Sequence, residues 1–438
     1  MKKVLFLMVA LLAVFASCSD NDKVDGYKTY EVTVQVAYPA GHDWSLEGLA
    51  VKLTGTTSTS YDATTDSKGQ AKFEVTPGIY EVSASTKQAA EGYSYVYNAV
   101  KSDLVVTDSW DSSSLVSIEF TESKSGQVII KEIYVGGCPK NDGSGSWTKD
   151  KYIILYNNSD QTASLNNLCL GVVYPANAHA AQNDYDDSGN LRYENENFIP
   201  VGGAGYWYYP SEMTIEPYSQ VVIPLYQAID HTTTYTNSVD LSNSSYYPMY
   251  DLDNGFKNTT YYAAPNASIP TSNYFKSVYY GQGNAWVVSE NSPAVVLFTI
   301  DGDPAAYGLT VENYYYYAQK ENNAVYRCVK VPTDWILDGV EVFYEPSKAD
   351  SKKRLTVAVD GGYTLLTNKL GHTSYRNVDQ DATEALSENS GKLVYGYADD
   401  ASGIDAEASI KNGAHIVYID TNNSSNDFHQ RTVASLKN

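Results

Sequence analysis

Short stretches in which polar and apolar residues strictly alternate, each ended by a turn signal, constrain this chain more than any other feature. Tyr30-Glu31-Val32-Thr33-Val34-Gln35-Val36 alternates residue by residue, and Ala50-Val51-Lys52-Leu53 and Gln70-Ala71-Lys72-Phe73-Glu74-Val75 repeat the pattern. A period of two places every second side chain on one face of a strand. Asp66-Ser67-Lys68-Gly69 reads as a turn, because the Asp side chain bonds the turn backbone and Gly accepts a positive φ; Pro77-Gly78 reads as another. Helical periodicity is confined to 346–354 and 379–389, both on polar ground. The expectation is an all-β chain: a small β-sandwich over 28–122, a linker at Ser123-Lys124-Ser125-Gly126, and a larger β-sandwich over 126–438. Long insertions are expected in the second near 174–212 and 228–290.

The first residues carry a different kind of signal. Met1-Lys2-Lys3 is followed by the apolar run Val4 to Phe15, too short to cross a bilayer, which takes roughly 20 residues as a helix. The run ends in Phe15-Ala16-Ser17-Cys18, small residues ahead of a cysteine placed for acylation after cleavage. The reading is a signal peptide over 1–17, a lipidated Cys18 and a flexible acidic tether over 18–27. That tether resembles the acidic export signal with which some gut-commensal Gram-negative bacteria send lipoproteins to the outer face of the outer membrane. The expected localisation is therefore the outer membrane, lipid-anchored and facing the cell exterior.

Cleavage would also remove Lys2 and Lys3, taking the formal charge from −22 to −24. So acidic a surface offers no counter-charge to phosphates, which argues against nucleic acid as a partner. After Cys18 only Cys138, Cys169 and Cys328 remain, with no Cys-x-x-Cys pair, so one disulfide at most is expected. Cys169, within Leu168-Cys169-Leu170, reads as a plain core thiol.

Two resemblances refine the architecture. Residues 65–82, with the pattern T-D-x-x-G-x-A-x-F-x-V-x-P-G-x-Y-x-V, resemble the transthyretin-like or carboxypeptidase-regulatory-like module, which implies seven strands and a spacer or docking role. Ile130-Lys131-Glu132-Ile133-Tyr134, Lys151-Tyr152-Ile153-Ile154-Leu155-Tyr156-Asn157-Asn158-Ser159-Asp160 and Leu165 to Leu168 resemble the lamin-tail-like domain, which implies an immunoglobulin-type sandwich. The tail, Asp334-Trp335-Ile336-Leu337-Asp338-Gly339-Val340-Glu341 and Ile419 to Phe428, is similar to an uncharacterised surface lipoprotein family, domain of unknown function 4876. That family implies architecture without chemistry. Its members look like accessory lipoproteins of TonB-dependent uptake systems, so a TonB-dependent transporter is an expected partner by resemblance.

No recognised catalytic signature is present: no His-Glu-x-x-His, Gly-x-Ser-x-Gly, P-loop or dinucleotide fingerprint. The six histidines show no ligand spacing. An enzyme is not expected and no cofactor is called for, although linear sequence cannot test for a carboxylate pair suited to glycans. Asp184, Asp186 and Ser188, with Gly189 sixth, have the spacing of a calcium loop, but Asn195 stands where the bidentate Glu belongs. The alternative is a plain acidic loop. Tyrosine, with 40 residues against 10 Phe and 6 Trp, clusters in or beside the expected insertions. Consecutive rings on a strand point to opposite faces, so some of Trp207, Tyr208, Tyr209, Tyr261, Tyr262, Trp286, Tyr315 and Tyr316 are candidates for a ligand or partner face. Structural packing is the competing account. The leading expectation is a surface binding lipoprotein acting on a small molecule or glycan; a structural or adhesive surface protein and a glycan hydrolase are the alternatives.

Overall fold

A computed structural model describes residues 28–42, 44–56, 59–90 and 93–437. The expected signal peptide, the lipidation site Cys18 and the tether lie outside the described residues. The protein is all-β, built from stacked sheets with a few helices of at most six residues.

The first body pairs a three-stranded with a five-stranded sheet. Tyr30–Ala37 is central in the first, antiparallel to Gln70–Val75 and parallel to Leu115–Glu119. The second runs Ser60–Thr64, Ala50–Gly55, Gly78–Ala90, Tyr93–Val106 and Thr121–Ser125. The alternation works as read: Val32, Val34, Val51, Leu53, Phe73 and Val75 share one core. Asp66 Oδ1 accepts the amides of Lys68 (2.8 Å) and Gln70 (3.0 Å). Gly69 has φ +77°, and a Cβ there would lie 2.8 Å from the Val36 carbonyl, so the turn admits only glycine. Among the described residues the body has eight strands rather than seven. Thr121–Ser125 continues the five-stranded sheet through the expected linker, because its backbone pairs with 94–98 on the long strand Tyr93–Val106.

The second body is thicker than one sandwich. A five-stranded sheet, ordered Gln220–Pro224, Tyr152–Asn157, Val128–Tyr134, Thr373–Arg376 and Phe428–Arg431, faces a six-stranded one. The latter is ordered Lys276–Tyr279, Gly205–Tyr208, Leu168–Val172, Ala294–Thr299, Ile336–Tyr344 and Thr364–Leu366. Ile130, Ile133, Ile153 and Leu155 from one meet Leu170, Trp207, Leu297 and Val340 from the other in a single core. The outer faces are covered as well. Behind the six-stranded sheet, Tyr206, Val296 and Phe298 pack with Ile199, Val329 and Val331 of a three-stranded layer. Behind the five-stranded sheet, Ile129, Tyr156 and Tyr375 pack under Ile404, Ile416 and Tyr418. Sheets covered on both faces read as apolar runs rather than alternating ones, and every residue of Val128–Tyr134 is buried.

That double covering corrects the expected insertions. Gly205–Tyr208, inside 174–212, and Lys276–Tyr279, inside 228–290, are strands of the six-stranded sheet. It also gives two charges unusual company. Lys131 is buried with its ammonium bonded to Glu407 and Gln220, each at 2.7 Å. Glu132 accepts the Tyr152 hydroxyl at 2.7 Å and the Ser435 amide at 3.1 Å. Beyond the expected helical stretches, short helices form at Pro304–Leu309 and Ala406–Lys411. Asp303 and Asp405 cap their first amides, the usual role of Asp at that position.

Candidate functional site

The aromatic candidates divide by the same covering. Trp207, Tyr209, Tyr262 and Trp286 are core residues, which corrects their assignment to a contact face. Tyr206 and Trp207 do point to opposite faces of their strand, yet each face has its own core, so neither meets solvent. The Trp286 indole donates to the Gly205 carbonyl at 3.1 Å, and the Tyr262 hydroxyl accepts the Trp286 amide at 2.9 Å. Tyr208, Tyr261, Tyr315 and Tyr316 are half-buried, but they do not converge on one surface: Tyr261 packs beside Tyr226, and Tyr315 beside Phe198.

The calcium-like spacing belongs to a hairpin turn. Tyr185 and Leu191 form a bridge, and Asp186 accepts the amides of Ser188 and Asn190, both at 2.9 Å. Asp184 is buried beneath it. Its carboxylate takes the Tyr315 hydroxyl (2.5 Å) and the Ala318 amide (3.2 Å), with Arg192 at 3.6 Å. Those partners account for the acidic pair without a cation and correct the ligand reading of Asp184, Asp186 and Ser188. Among the described residues, no three His, Cys, Asp or Glu side chains form a group able to hold a metal ion. Cys138, Cys169 and Cys328 are buried free thiols, and burial pushes all three thiols up, Cys138 to about 12.

A wide concavity lies where the two bodies meet. A cleft of about 670 Å³ is bounded on one side by the outer face of the five-stranded sheet of the first body, including Lys52, Ile79 and Glu81. On the other it is bounded by Tyr363, Asn426 and Phe428 of the second. The volume falls in the range of roughly 300–1,000 Å³ usual for small-molecule sites, which favour domain junctions. Tyr363 is half-buried and its ring stacks on Phe343 with centroids 4.2 Å apart, so it is held as a flat platform. Burial pushes the carboxyl of Glu81 up, Lys353 and Ser102 opposing. The Tyr363 phenol is pushed up by burial, then by Glu81 and Glu345, so it remains a neutral donor.

Two buried acids build this wall. Asp360 accepts the amides of Ser424 (2.8 Å), Gly362 (3.0 Å) and Glu341 (3.0 Å), fastening the loop before Tyr363 to the segment 423–426. The approach is close enough that a Cβ on Gly362 would strike the Asn423 side chain. Asp427 takes the Thr421 amide at 2.9 Å and its hydroxyl at 2.6 Å. Asp427 belongs to a cluster around Arg376, whose guanidinium reaches Asp338 (2.5 Å), Asp420 (3.1 Å) and Asp427 (3.4 Å). It also reaches the carbonyls of Ile130 (2.8 Å) and Ile419 (3.0 Å), and it lies 4.6 Å over the Phe428 ring. Three carboxylates around one cation cannot all ionise cheaply. Burial accordingly pushes Asp338 and Asp427 up to about 7 against the pull of Arg376. The two bodies are tied by Asn98, whose amide donates to the carbonyls of Thr421 (2.6 Å) and Asn422 (3.1 Å).

None of the cleft residues was singled out by the sequence. One signal was available: Ile79 shares the phase of Glu81, and Val105 pairs with Ile79 across the ladder. Both are apolar residues in the solvent-facing register, and both are exposed.

Layered β-sandwiches meeting at a ligand-sized cleft define an all-β architecture, and among the described residues no helix is long and apolar enough to cross a bilayer. Residues 216–435 match the family described as "Protein of unknown function (DUF4876)", about half of the chain, and the chain belongs to that family. The protein is similar to the crystal structure of a DUF4876 family protein from Bacteroides thetaiotaomicron, with 22% identity over 91% of this chain and 94% of the other, at a TM-score of 0.52. That likeness supports the fold. A DUF3823 family protein from Parabacteroides merdae matches at 10% identity over 43% of this chain and 80% of its own, and the Bacillus anthracis TIE protein at 12% over 44% and 27%. Their TM-scores of 0.16 and 0.14 are too low to bear on the fold. No curated protein matches the sequence.

Proposed function

We propose that the protein is a lipoprotein on the exterior of the outer membrane, held through acylated Cys18, that binds a small molecule or glycan as an accessory of TonB-dependent nutrient uptake. The observation that carries the binding role is the junction cleft. It combines a stacking platform, Tyr363 on Phe343, with hydrogen-bonding and charged side chains of both bodies. A rigid ring beside polar groups suits sugars and other ligands with one apolar face. The sequence supports the anchor through Ala16-Ser17-Cys18, and the acidic tether fits display on the outer face. The first sandwich acts as a spacer that also supplies one wall of the site, and no reaction is assigned to the protein.

The test is made with the full chain. Membranes are solubilised in detergent, the protein is captured, and co-purifying proteins are identified alongside labelling with radioactive palmitate. The expected result is acyl label lost in Cys18→Ala and a TonB-dependent transporter in the eluate. Label and membrane fractionation unaffected by Cys18→Ala would overturn the anchor, and repeated recovery without a transporter would overturn the uptake role.

A further inference from the structure

A second recess, of about 240 Å³ and sharing no residue with the junction cleft, is lined by Lys149, Lys151, Asn177, Tyr226, Tyr261 and Glu290. Two ammonium groups thus border one small concavity in a chain of net charge −22. Lys151 is buried, and among the described contacts its Nζ has one hydrogen-bond acceptor, the Val288 carbonyl at 2.9 Å. An ammonium carries three donors, and leaving them unmet away from water is costly. The Lys149 Nζ lies 3.7 Å from the centroid of Tyr261 and 5.6 Å from that of Tyr226. Those rings meet edge to face at 4.9 Å, forming an aromatic wall beside the two cations. The charged groups around Lys151 are few. Asp150 takes the hydroxyls of Tyr134 (3.1 Å) and Ser238 (2.6 Å) on Oδ2 and bonds neither lysine through Oδ1, and Glu290 forms no ion pair with either lysine among the described contacts. Burial is the largest influence on Lys151 and pushes it down to about 7; Lys149 adds to the fall, and Glu290 and Asp150 oppose it.

We infer that this recess binds a small organic carboxylate, the acid group held by Lys149 and Lys151 and the body laid against Tyr226 and Tyr261. The carboxylate supplies acceptors to Lys151, and a charge-assisted bond to a buried ammonium is stronger than one on an open surface. A metal ion fits poorly, since two ammonium groups repel it. Sugar acids and aromatic acids share the required chemistry, a carboxylate on a body with an apolar face. Binding favours the charged form of Lys151, so it takes up a proton wherever that amine is neutral in the free protein. Affinity therefore falls as pH rises above about 7.

The experiment is isothermal titration of the intact protein with sodium glucuronate and sodium benzoate, each against its neutral counterpart, glucose and benzyl alcohol. Measurements at about pH 6 and about pH 9 bracket the titration of a lysine perturbed by burial. Saturable binding of at least one acid is expected, weaker at the higher pH, with the neutral counterparts silent. Which acid binds identifies the class of body. Lys151→Met should weaken binding about tenfold or more, the value of one charge-assisted bond. Lys149→Gln, at a half-exposed side chain, should also weaken it and provides the reading if the first variant fails to fold. Absence of saturable binding by either acid, equal binding of the neutral compounds, or unchanged affinity in both variants would overturn the assignment.

Discussion

Replacing Arg376 by Met tests how the wall of the junction cleft is held. The change keeps most of the side-chain volume over Phe428 but removes the one cation shared by Asp338, Asp420 and Asp427. Breaking a buried pair from one side costs about 3–5 kcal/mol, because the partner charge is left unpaired. The carboxyls respond to pH in a defined direction. Asp338 and Asp427 have native values raised from 3.8 to about 7. Their protonated forms therefore favour the folded state, an advantage fully present below the unfolded value and lost as pH rises through about 7. Without the guanidinium their native values rise further, so the penalty grows with pH. Near pH 5 Asp338 and Asp427 are protonated and the cost falls to about 1–3 kcal/mol, mainly from the carbonyls of Ile130 and Ile419 that lose the guanidinium. Urea unfolding followed by tryptophan fluorescence, at about pH 5 and about pH 8, measures both. A penalty under about 1 kcal/mol at the higher pH, or one independent of pH, would refute the picture of a charge cluster organised by Arg376.

Three further outcomes follow from the packing. Trp286→Ala should destabilise the protein by about 3–5 kcal/mol in the same urea assay, as expected for emptying a core site, although the residue lies in an irregular segment. In a version lacking residues 1–18, Cys138, Cys169 and Cys328 should not react with a thiol reagent until the protein is unfolded in urea; reaction of any one at the native rate of a free thiol would contradict its burial. Asn98→Ala should loosen the junction, seen as faster amide exchange at 421–423 with exchange in the core strands unchanged, since the lost bonds are local and worth about 1 kcal/mol each.

The two bodies were not equally legible. The first keeps alternate positions of Ala50–Gly55 and Gln70–Val75 out of its core, so its alternation survived in the letters, and Val32, Val34, Phe73 and Val75 could be assigned inward by inspection. In the second body the outer faces of both main sheets are covered by segments distant in sequence. Tyr206-Trp207 then looks like a surface ring cluster when it is two core residues on opposite faces. The acidic pair Asp184 and Asp186 misled for a related reason: an acid that organises a turn and one that holds a buried tyrosine have the same spacing as cation ligands. The short helices at 304–309 and 406–411 are capped by Asp303 and Asp405, but six residues are too few to show a period. The cleft could not be read at all, since its walls come from positions near 52–103 and 348–430. Only Ile79 and Val105, apolar on a polar face, hinted at it.

Val128–Tyr134 acquires its neighbours late. The Thr373 hydroxyl that bonds the Ile133 carbonyl comes from 240 positions downstream, and the Ser435 amide that meets Glu132 from 303. Until Thr373–Arg376 pairs with it, that strand has an open margin, with Lys131 and Glu132 on it. Charges in that position discourage an apolar ribbon from pairing with another copy. In the finished molecule both are buried, so neutralising them is expected to lower refolding yield before it lowers stability.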